Sequence, residues 1–389
     1  MSRLEELIQQ YCPDGVEYKP LKDILRIRNG RDYKHLDKGL IPVYGSGGIM
    51  TYVDTPMYSK PSVLIPRKGS IDKLYYVDTP FWNVDTVFYT EIDTSKVVEK
   101  YVYYVLQKEH LEKLNTAGGV PSLTQGVLNE VLIPVPPLPV QEEIVRILDN
   151  FAELQAELQA ELQKRLQQYE YYRDKLLSFS DLSNWGGQNV SVEWKKLGEI
   201  ATLIRGGNFQ KKDFTDTGVP CIHYGQIYTH FGIHTTSTLK YISPDVASKS
   251  KIAKTNDIVM AITSENVEDV GKCVAWMGDE DIAVSGHTAI IQHRQNAKYL
   301  SYYFHTSHFF AQKKKLAHGT KVIEISPKDL ANVIIPIPSL TEQQRIVDIL
   351  DRFDKLTNDI TAGLPAEIEA RRKQYEYYRD QLLTFKQKA

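Results

Sequence analysis

Few side chains in this sequence are spaced for catalysis. A cradle for adenosylmethionine or a nucleotide needs glycines at G-x-G-x-x-G spacing, and Gly45-Ser-Gly-Gly48 lacks it and reads as a turn. The Asn/Asp-Pro-Pro-Tyr/Phe element of a self-contained DNA methyltransferase does not occur. Pro13-Asp14 with Glu17-Tyr18-Lys19 has the carboxylate and lysine content of a metal-dependent nuclease, but the groups lie too close in sequence to come from separate strands, so a domain-entry turn is the expectation. His230 with His234, and His305 with His308, have ligand-like spacing without an accompanying glutamate or cysteine motif, which favours hydrogen bonding or DNA contact over a metal. Cys12, Cys221 and Cys273 are far apart, so neither a disulfide framework nor a cysteine zinc site is predicted. No catalytic and no metal residue is therefore nominated.

What remains is binding chemistry. Polar and aromatic residues gather beside glycine in several loops. In the first half these are Asn29 and Arg31 around Gly30, Tyr44 near Ser46, Arg67 with Lys68, and the stretch Gly118 to Ser122. In the second half they are Arg205, Asn208 and Lys211, Tyr224 with Gln226, Asn266, and the stretch His318 to Lys321. Arg and Lys can meet guanine O6 and N7 or hold phosphate, Asn and Gln can pair with adenine, and glycine lets backbone approach closely. For any single one of them a solvated loop charge is an equally good account. A net charge of −2 lacks the basic footprint of a typical nucleic-acid binder, so DNA contact must use local patches or be shared with partner chains.

The elements that must position these loops are read from an internal duplication. Val131-Leu-Ile-Pro-Val-Pro-Pro137, then Gln141, Ile144-Val-Arg-Ile-Leu-Asp149 and Phe151, recurs as Val333-Ile-Ile-Pro-Ile-Pro-Ser339, Gln343, Ile346-Val-Asp-Ile-Leu-Asp351 and Phe353. Further on, Gln168-Tyr-Glu-Tyr-Tyr-Arg-Asp-Lys-Leu-Leu-Ser-Phe179 recurs as Gln374-Tyr-Glu-Tyr-Tyr-Arg-Asp-Gln-Leu-Leu-Thr-Phe385. Between the first pair of motifs lies a tetrapeptide written three times, Ala152 to Gln155, Ala156 to Gln159 and Ala160 to Gln163. All its residues favour helix, and Leu154, Leu158 and Leu162 continue an apolar stripe that runs from Ile144 to Tyr169. A long helix over Pro137 to Phe179 follows, and its stripe requires a partner helix. Successive steps of four residues relax the supercoil there. Each tetrapeptide adds about 6 Å and about 40° of rotation. In the second copy Gly363 and Pro365 predict a break.

The globular halves match more loosely, through Glu17-Tyr18-Lys19 and Glu193-Trp194-Lys195, and through Tyr101-Val-Tyr-Tyr104 and Tyr299-Leu-Ser-Tyr302. Strands are expected at 62–65, 86–90, 257–262 and 287–292, and helices near 97–114 and 297–316, with Thr124 and Ser326 capping short helices. The fold class is α+β with a pseudo-twofold internal repeat. The domains are 1–136, a first long helix at 137–180, a second domain at 181–338 and a second helix at 339–389.

With these motifs the whole chain resembles the specificity subunit of Type I restriction-modification enzymes. The resemblance implies two target-recognition domains at opposite ends of two long helices paired as an antiparallel coiled coil. It implies double-stranded DNA as ligand, two methyltransferase subunits docked on the helices, and restriction (motor-nuclease) subunits completing the restriction form. S-adenosylmethionine, Mg2+ and ATP would be used by those partners, with no cofactor on this chain and no catalysis by it alone. The repeated Tyr169, Tyr171, Tyr172 and Arg173, and Tyr375, Tyr377, Tyr378 and Arg379, are candidates for the subunit interface, beside packing between the helices of the chain itself. A coiled-coil scaffold not specific for DNA is the alternative. No signal-peptide layout and no run of eighteen apolar residues is present, so a cytoplasmic protein without membrane attachment is expected.

Overall fold

In the computed structural model, which describes residues 2–115, 122–179, 191–358 and 363–388, the chain divides into two units. One comprises Met1–Gln159 with Glu367–Ala389, the other Ala160–Ala366. The dividing line falls inside one uninterrupted 41-residue helix, Leu138–Ser178. Each unit therefore holds a globular domain, the start of the helix that follows it, and the end of the other repeated helix.

In the first unit a four-stranded antiparallel sheet runs in the order Leu25–Asn29, Val87–Ile92, Ser62–Pro66, Tyr75–Val77. Ser62–Pro66 is buried at every position because both sheet faces are covered, which is why it reads as a continuous apolar run. Its alternation sends Val63 and Ile65 to one face, with Tyr101, Val102 and Val105 of the helix Glu99–Lys108, and Leu64 to the other, with Val77, Phe81 and Val87. Each such side chain contributes about 1.5–3 kcal/mol by burial. A smaller sheet pairs Gly48–Val53 with Lys38–Gly45, and the latter with Trp82–Asn83 in parallel.

The second unit repeats the plan with more strands. Its main sheet runs Ala201–Arg205, Thr288–His293, Ile258–Ala261, Cys273–Trp276, His234–Thr235. Ile258 and Met260 face the helix Ala297–Phe304, while Val259 and Ala261 face a second cluster with Ile222, Ile282 and Val284. The α+β class and the internal repeat are as the sequence predicts, and so are the caps: Thr124 Oγ1 accepts from Val127 N at 3.3 Å and Ser326 Oγ from Asp329 N at 3.1 Å. The helices expected near 97–114 and 297–316 are shorter. The first ends at Lys108, and after His110 in the left-handed region a 3-10 turn spans Leu111–Leu114. The second is split, because Thr306 turns out of helical geometry to cap Phe309 N.

Each domain is fastened to the helix that leaves it by the same set of bonds. Asp149 accepts from Tyr104 Oη at 2.6 Å and Lys100 Nζ at 2.8 Å. Asp351 accepts from Tyr302 Oη at 2.7 Å and Lys298 Nζ at 2.8 Å. Gln141 Oε1 accepts from Val98 N and its amide donates to Pro136 O, and Gln343 does the same with Asn296 N and Pro338 O. Tyr101 and Tyr299, fully buried, donate to Pro134 O and Pro336 O of the Pro-rich exits. Burial, then the hydrogen bond to the aspartate, pushes the Tyr104 and Tyr302 phenols far above their usual range.

The second repeated helix is broken into Leu340–Asn358 and Leu364–Leu382, as Gly363 and Pro365 predict; Thr361 and Ala362 lie outside the described residues. The stripe of the first helix is less completely covered than its spacing predicts. Leu154 is 56% exposed and Leu158 and Leu162 are half-buried, so the leucines nearest the dividing line add less apolar burial than Ile144 and Leu148, which are fully covered by the first domain.

Removing the clamp should loosen the second unit. Asp351→Ala leaves a buried phenol and a lysine without their acceptor and is expected to destabilise by about 2–4 kcal/mol, whereas Asp351→Asn, which still accepts from Tyr302, should cost less. Thermal or urea melting of both variants beside the parent measures the difference.

Candidate nucleic-acid interface

In the first unit the nominated residues come together because the two strands that flank Val87–Ile92 run parallel to each other and end at the same end of the sheet. Leu25–Asn29 ends on Asn29-Gly30, and Ser62–Pro66 ends on Arg67-Lys68. A Cβ on Gly30 would stand 2.1 Å from Val84 O, so only glycine permits the chain to turn there while its N–H donates to Val87 O. Arg67 Nη1 donates to Asn29 Oδ1 at 3.4 Å, and its guanidinium lies 4.9 Å from the Phe88 ring centroid. Arg67 Nε is buried with no hydrogen-bond partner among the described residues. Lys68 forms a β-bridge with Ser122, and Arg67 O accepts from Leu123 N. The rest of the Gly118 to Ser122 stretch lies outside the described residues. Arg31 exposes its side chain while its carbonyl accepts from Trp82 Nε1. Tyr44 departs from the group: its ring packs against Tyr75 and Phe81, and burial raises its phenol above the usual range.

The second unit builds the same corner with different side chains. Ala201–Arg205 ends on Arg205-Gly206, and a Cβ on Gly206 would stand 2.1 Å from Ser285 O, while its N–H donates to Thr288 O. Arg205 Nη1 pairs with Glu324 Oε1 at 3.0 Å and its Nε donates to Gly286 O at 3.4 Å. Beside it Tyr224 lies 4.4 Å from the His223 ring and 4.9 Å from that of His287, whose Nδ1 is 2.9 Å from Thr263 Oγ1. Asn208 and Lys211 are exposed near this corner, and His318 is tied to it by a β-bridge to Glu324. Lys321 is exposed on the loop that follows His318.

Two nominated side chains are already occupied. Gln226 Oε1 accepts from His223 N at 2.8 Å, closing the short helix Tyr224–Thr229, and Asn266 bonds Asp269 through both its oxygen and its nitrogen. Both are local caps, an alternative that amide side chains always have. Glu324 and His287 were not picked out from the sequence, because an acidic residue and a lone histidine carry no DNA signal by themselves. The correspondence of Asn29-Gly30 with Arg205-Gly206 was legible: these positions are separated by the same interval as Tyr18 and Trp194.

The repeated tyrosines divide into inner and outer sets. Phe353 stacks on Tyr172 at 5.9 Å and 27°, and Phe151 on Tyr378 at 5.6 Å and 23°. Tyr169 is 5% exposed, with Arg173 over its ring, and Tyr375 has Arg379 over its ring and donates to Gln107. Burial pushes the Tyr375 phenol up to about 12. Tyr171 and Tyr377, at 59% and 61% exposed, point outward from the same place in both copies. Tyr169, Arg173 and Arg379 are thus engaged within their own units, and Tyr171 and Tyr377 are the most exposed of the repeated tyrosines.

Among the described residues no group of three His, Cys, Asp or Glu could hold a metal, and no helix is long and apolar enough to cross a membrane. Two of the spaced histidines have local partners: His305 Nδ1 is 2.7 Å from the backbone Ser301 O, and His230 Nδ1 is 2.6 Å from the Thr229 hydroxyl.

Comparison with known proteins gives a consistent picture. The family model described as Type I restriction modification DNA specificity domain matches residues 13–168 and 189–370. The EcoR124I/EcoR124II specificity subunit of Escherichia coli is 35% identical over 314 residues, covering 76% of this chain and 73% of that one. A putative type I restriction enzyme specificity subunit of Haemophilus influenzae is 30% identical over 404 residues, covering 98% of both. The S subunit of M. genitalium superposes with a TM-score of 0.53 at 14% identity, over 95% of this chain and 96% of that one. A chain from a structural study of type I R-M assembly superposes at 0.61 and 17%, over 95% and 98%. At those identities the two superpositions establish the fold.

Three histidines give the second unit an acid-sensitive core. Burial lowers His223, His293 and His305 to about 4, so each stays neutral in the folded unit, whereas an unfolded histidine takes up its proton near 6.5. Their contribution is full above about pH 6.5 and is lost as pH falls toward 4. Melting temperature against pH should fall over that window, and replacing His305 with Gln should flatten part of the slope.

Proposed function

Since the chain belongs to the Type I restriction-modification DNA specificity family, we propose that it reads a bipartite, asymmetric double-stranded DNA target, one half-site with each domain. The recognition domains are residues 1–136 and 181–338, and the helices at 137–180 and 339–389 join them. Two methyltransferase subunits dock on those helices, where Tyr171 and Tyr377 stand outward twice in the same setting. Restriction subunits complete the nuclease form. The chain supplies recognition and assembly; adenosylmethionine, Mg2+ and ATP serve the partners that methylate adenine and cut, in the cytoplasm, without attachment to a membrane. The observation that carries this proposal is the doubled sheet corner, built on the same glycine turn in both units and differing in the side chains it presents.

Co-expression with a methyltransferase subunit followed by single-molecule methylome sequencing tests it. Two short specific sequences separated by an undefined spacer are expected; a continuous palindrome, or no methylated motif, overturns the proposal. The leucines Leu154, Leu158 and Leu162 belong to the helix that sets the spacer. Deleting Ala156 to Gln159 rotates and shortens that helix by about 40° and about 6 Å, close in rotation to one base pair. The preferred spacer should shorten by about one base pair with both half-sites unchanged, which the same sequencing reads.

A further inference from the structure

We propose that the last residue of the sheet strand preceding the glycine turn is the same base-reading position in both domains, occupied by Asn29 in one and Arg205 in the other, and that Glu324 is the positioning residue for Arg205. The inference rests on the DNA-reading role proposed above and assigns it to two residues.

Three observations support it. First, the two positions are structurally equivalent: each closes the strand at the edge of the main sheet, and each is followed by a glycine whose Cβ would strike a backbone carbonyl at 2.1 Å, Val84 O or Ser285 O. The glycine N–H then donates to Val87 O or Thr288 O. The glycine fits where no Cβ can and is hydrogen-bonded to the adjacent chain, so the preceding side chain starts from the same backbone position in both units.

Second, the bonds already made leave the donors and acceptors that a base requires. A guanidinium has five N–H donors. Arg205 uses one on Gly286 O and one on Glu324 Oε1, so three remain, and guanine O6 and N7 take two. Asn29 Oδ1 accepts one bond from Arg67, which leaves one lone pair and both amide N–H groups, the set that pairs with adenine N6 and N7.

Third, the charge balance separates reading from phosphate binding. Phosphate contacts draw strength from releasing counterions and need net positive charge. The Arg205–Glu324 pair has none, and a carboxylate beside a phosphate is repelled. A half-exposed arginine held by a carboxylate is suited to a base edge, where direction of the donors matters more than charge. In the first unit the neutral Asn29 takes that position, and the cation beside it, Arg67, has no carboxylate partner among the described residues and keeps its net charge.

The expected half-sites therefore differ in kind: the second domain requires a G·C pair at the position Arg205 reads, and the first an A·T pair at the position Asn29 reads. The test uses the chain purified with its methyltransferase subunit and duplexes built from the wild-type methylome motif, each carrying one altered base pair. Against the wild-type complex, Arg205→Gln and Glu324→Gln should each collapse discrimination at one G·C position of one half-site, from about 10- to 100-fold to nearly none, with the other half-site unaffected. Asn29→Ala should do the same at one A·T position of the other half-site. Arg205→Lys, which keeps charge and bulk without the fork, should also lose the preference, and it decides the matter should Arg205→Gln fail to fold. Unchanged discrimination in the folded variants overturns the inference. So does equal weakening on every duplex with a salt slope smaller by about one, the signature of a phosphate contact. A wild-type complex with no bipartite motif refutes instead the function proposed above, so the two failures are distinguishable.

Discussion

An aspartate near the start of each helical arm ties the rest of the fold together. Asp149 and Asp351 each accept from a tyrosine and a lysine of the domain that precedes them, and the partner glutamines Gln141 and Gln343 fill the remaining backbone bonds at the Pro-rich exit. These bonds act beside apolar packing, since Val140, Ile144 and Leu148 are buried in the first core and Ile346, Val347 and Leu350 in the second. With them, the position of the sheet is set by the helix, and whatever stands at the sheet edge is set in turn. The charge on each aspartate is partly screened from water and met by an ammonium and a phenol, which is the condition under which such a group stabilises rather than burdens a half-buried site.

The same economy appears in the division of the chain. Each unit closes its core with the end of the other repeated helix: Leu383 and Tyr375 join the first cluster, Leu176, Leu177 and Tyr169 the second. The sequence order domain, helix, domain, helix is thus folded into two bodies of similar plan, one built from two stretches of chain and the other from one. The aromatic stacks Phe151 on Tyr378 and Phe353 on Tyr172 are the most direct expression of that equality, since their geometry agrees within a few tenths of an ångström and 4°. Tyr377 in one unit and Tyr171 in the other stand exposed beside the next tyrosine in matching edge-to-face geometry.

Besides the extra strands of the second unit, the two differ in the sheet corner. The first presents an amide bonded to an arginine that stacks on Phe88; the second presents an arginine neutralised by Glu324 beside a histidine-tyrosine group. One backbone solution with two chemistries suits a protein that uses one scaffold twice on an asymmetric ligand.

The sequence by itself determined the repeat, the long helix and its break, the strands of the sheet centre and the short capped helices, since these follow from periodicity, proline and glycine chemistry, and side-chain capping, all of them local. It also contained the loops that hold the candidate readers. Only the tertiary structure decided which loop residues are available. Gln226 and Asn266 carry the right groups and spend them on their own backbone; Tyr44 and Tyr169 turn inward; Glu324, silent in the sequence, stands against Arg205 from a strand more than a hundred residues away. The physical reason is that a polar group's role depends on what already satisfies it, and the partners that satisfy these groups are brought by strand pairing and core packing, which no local pattern encodes.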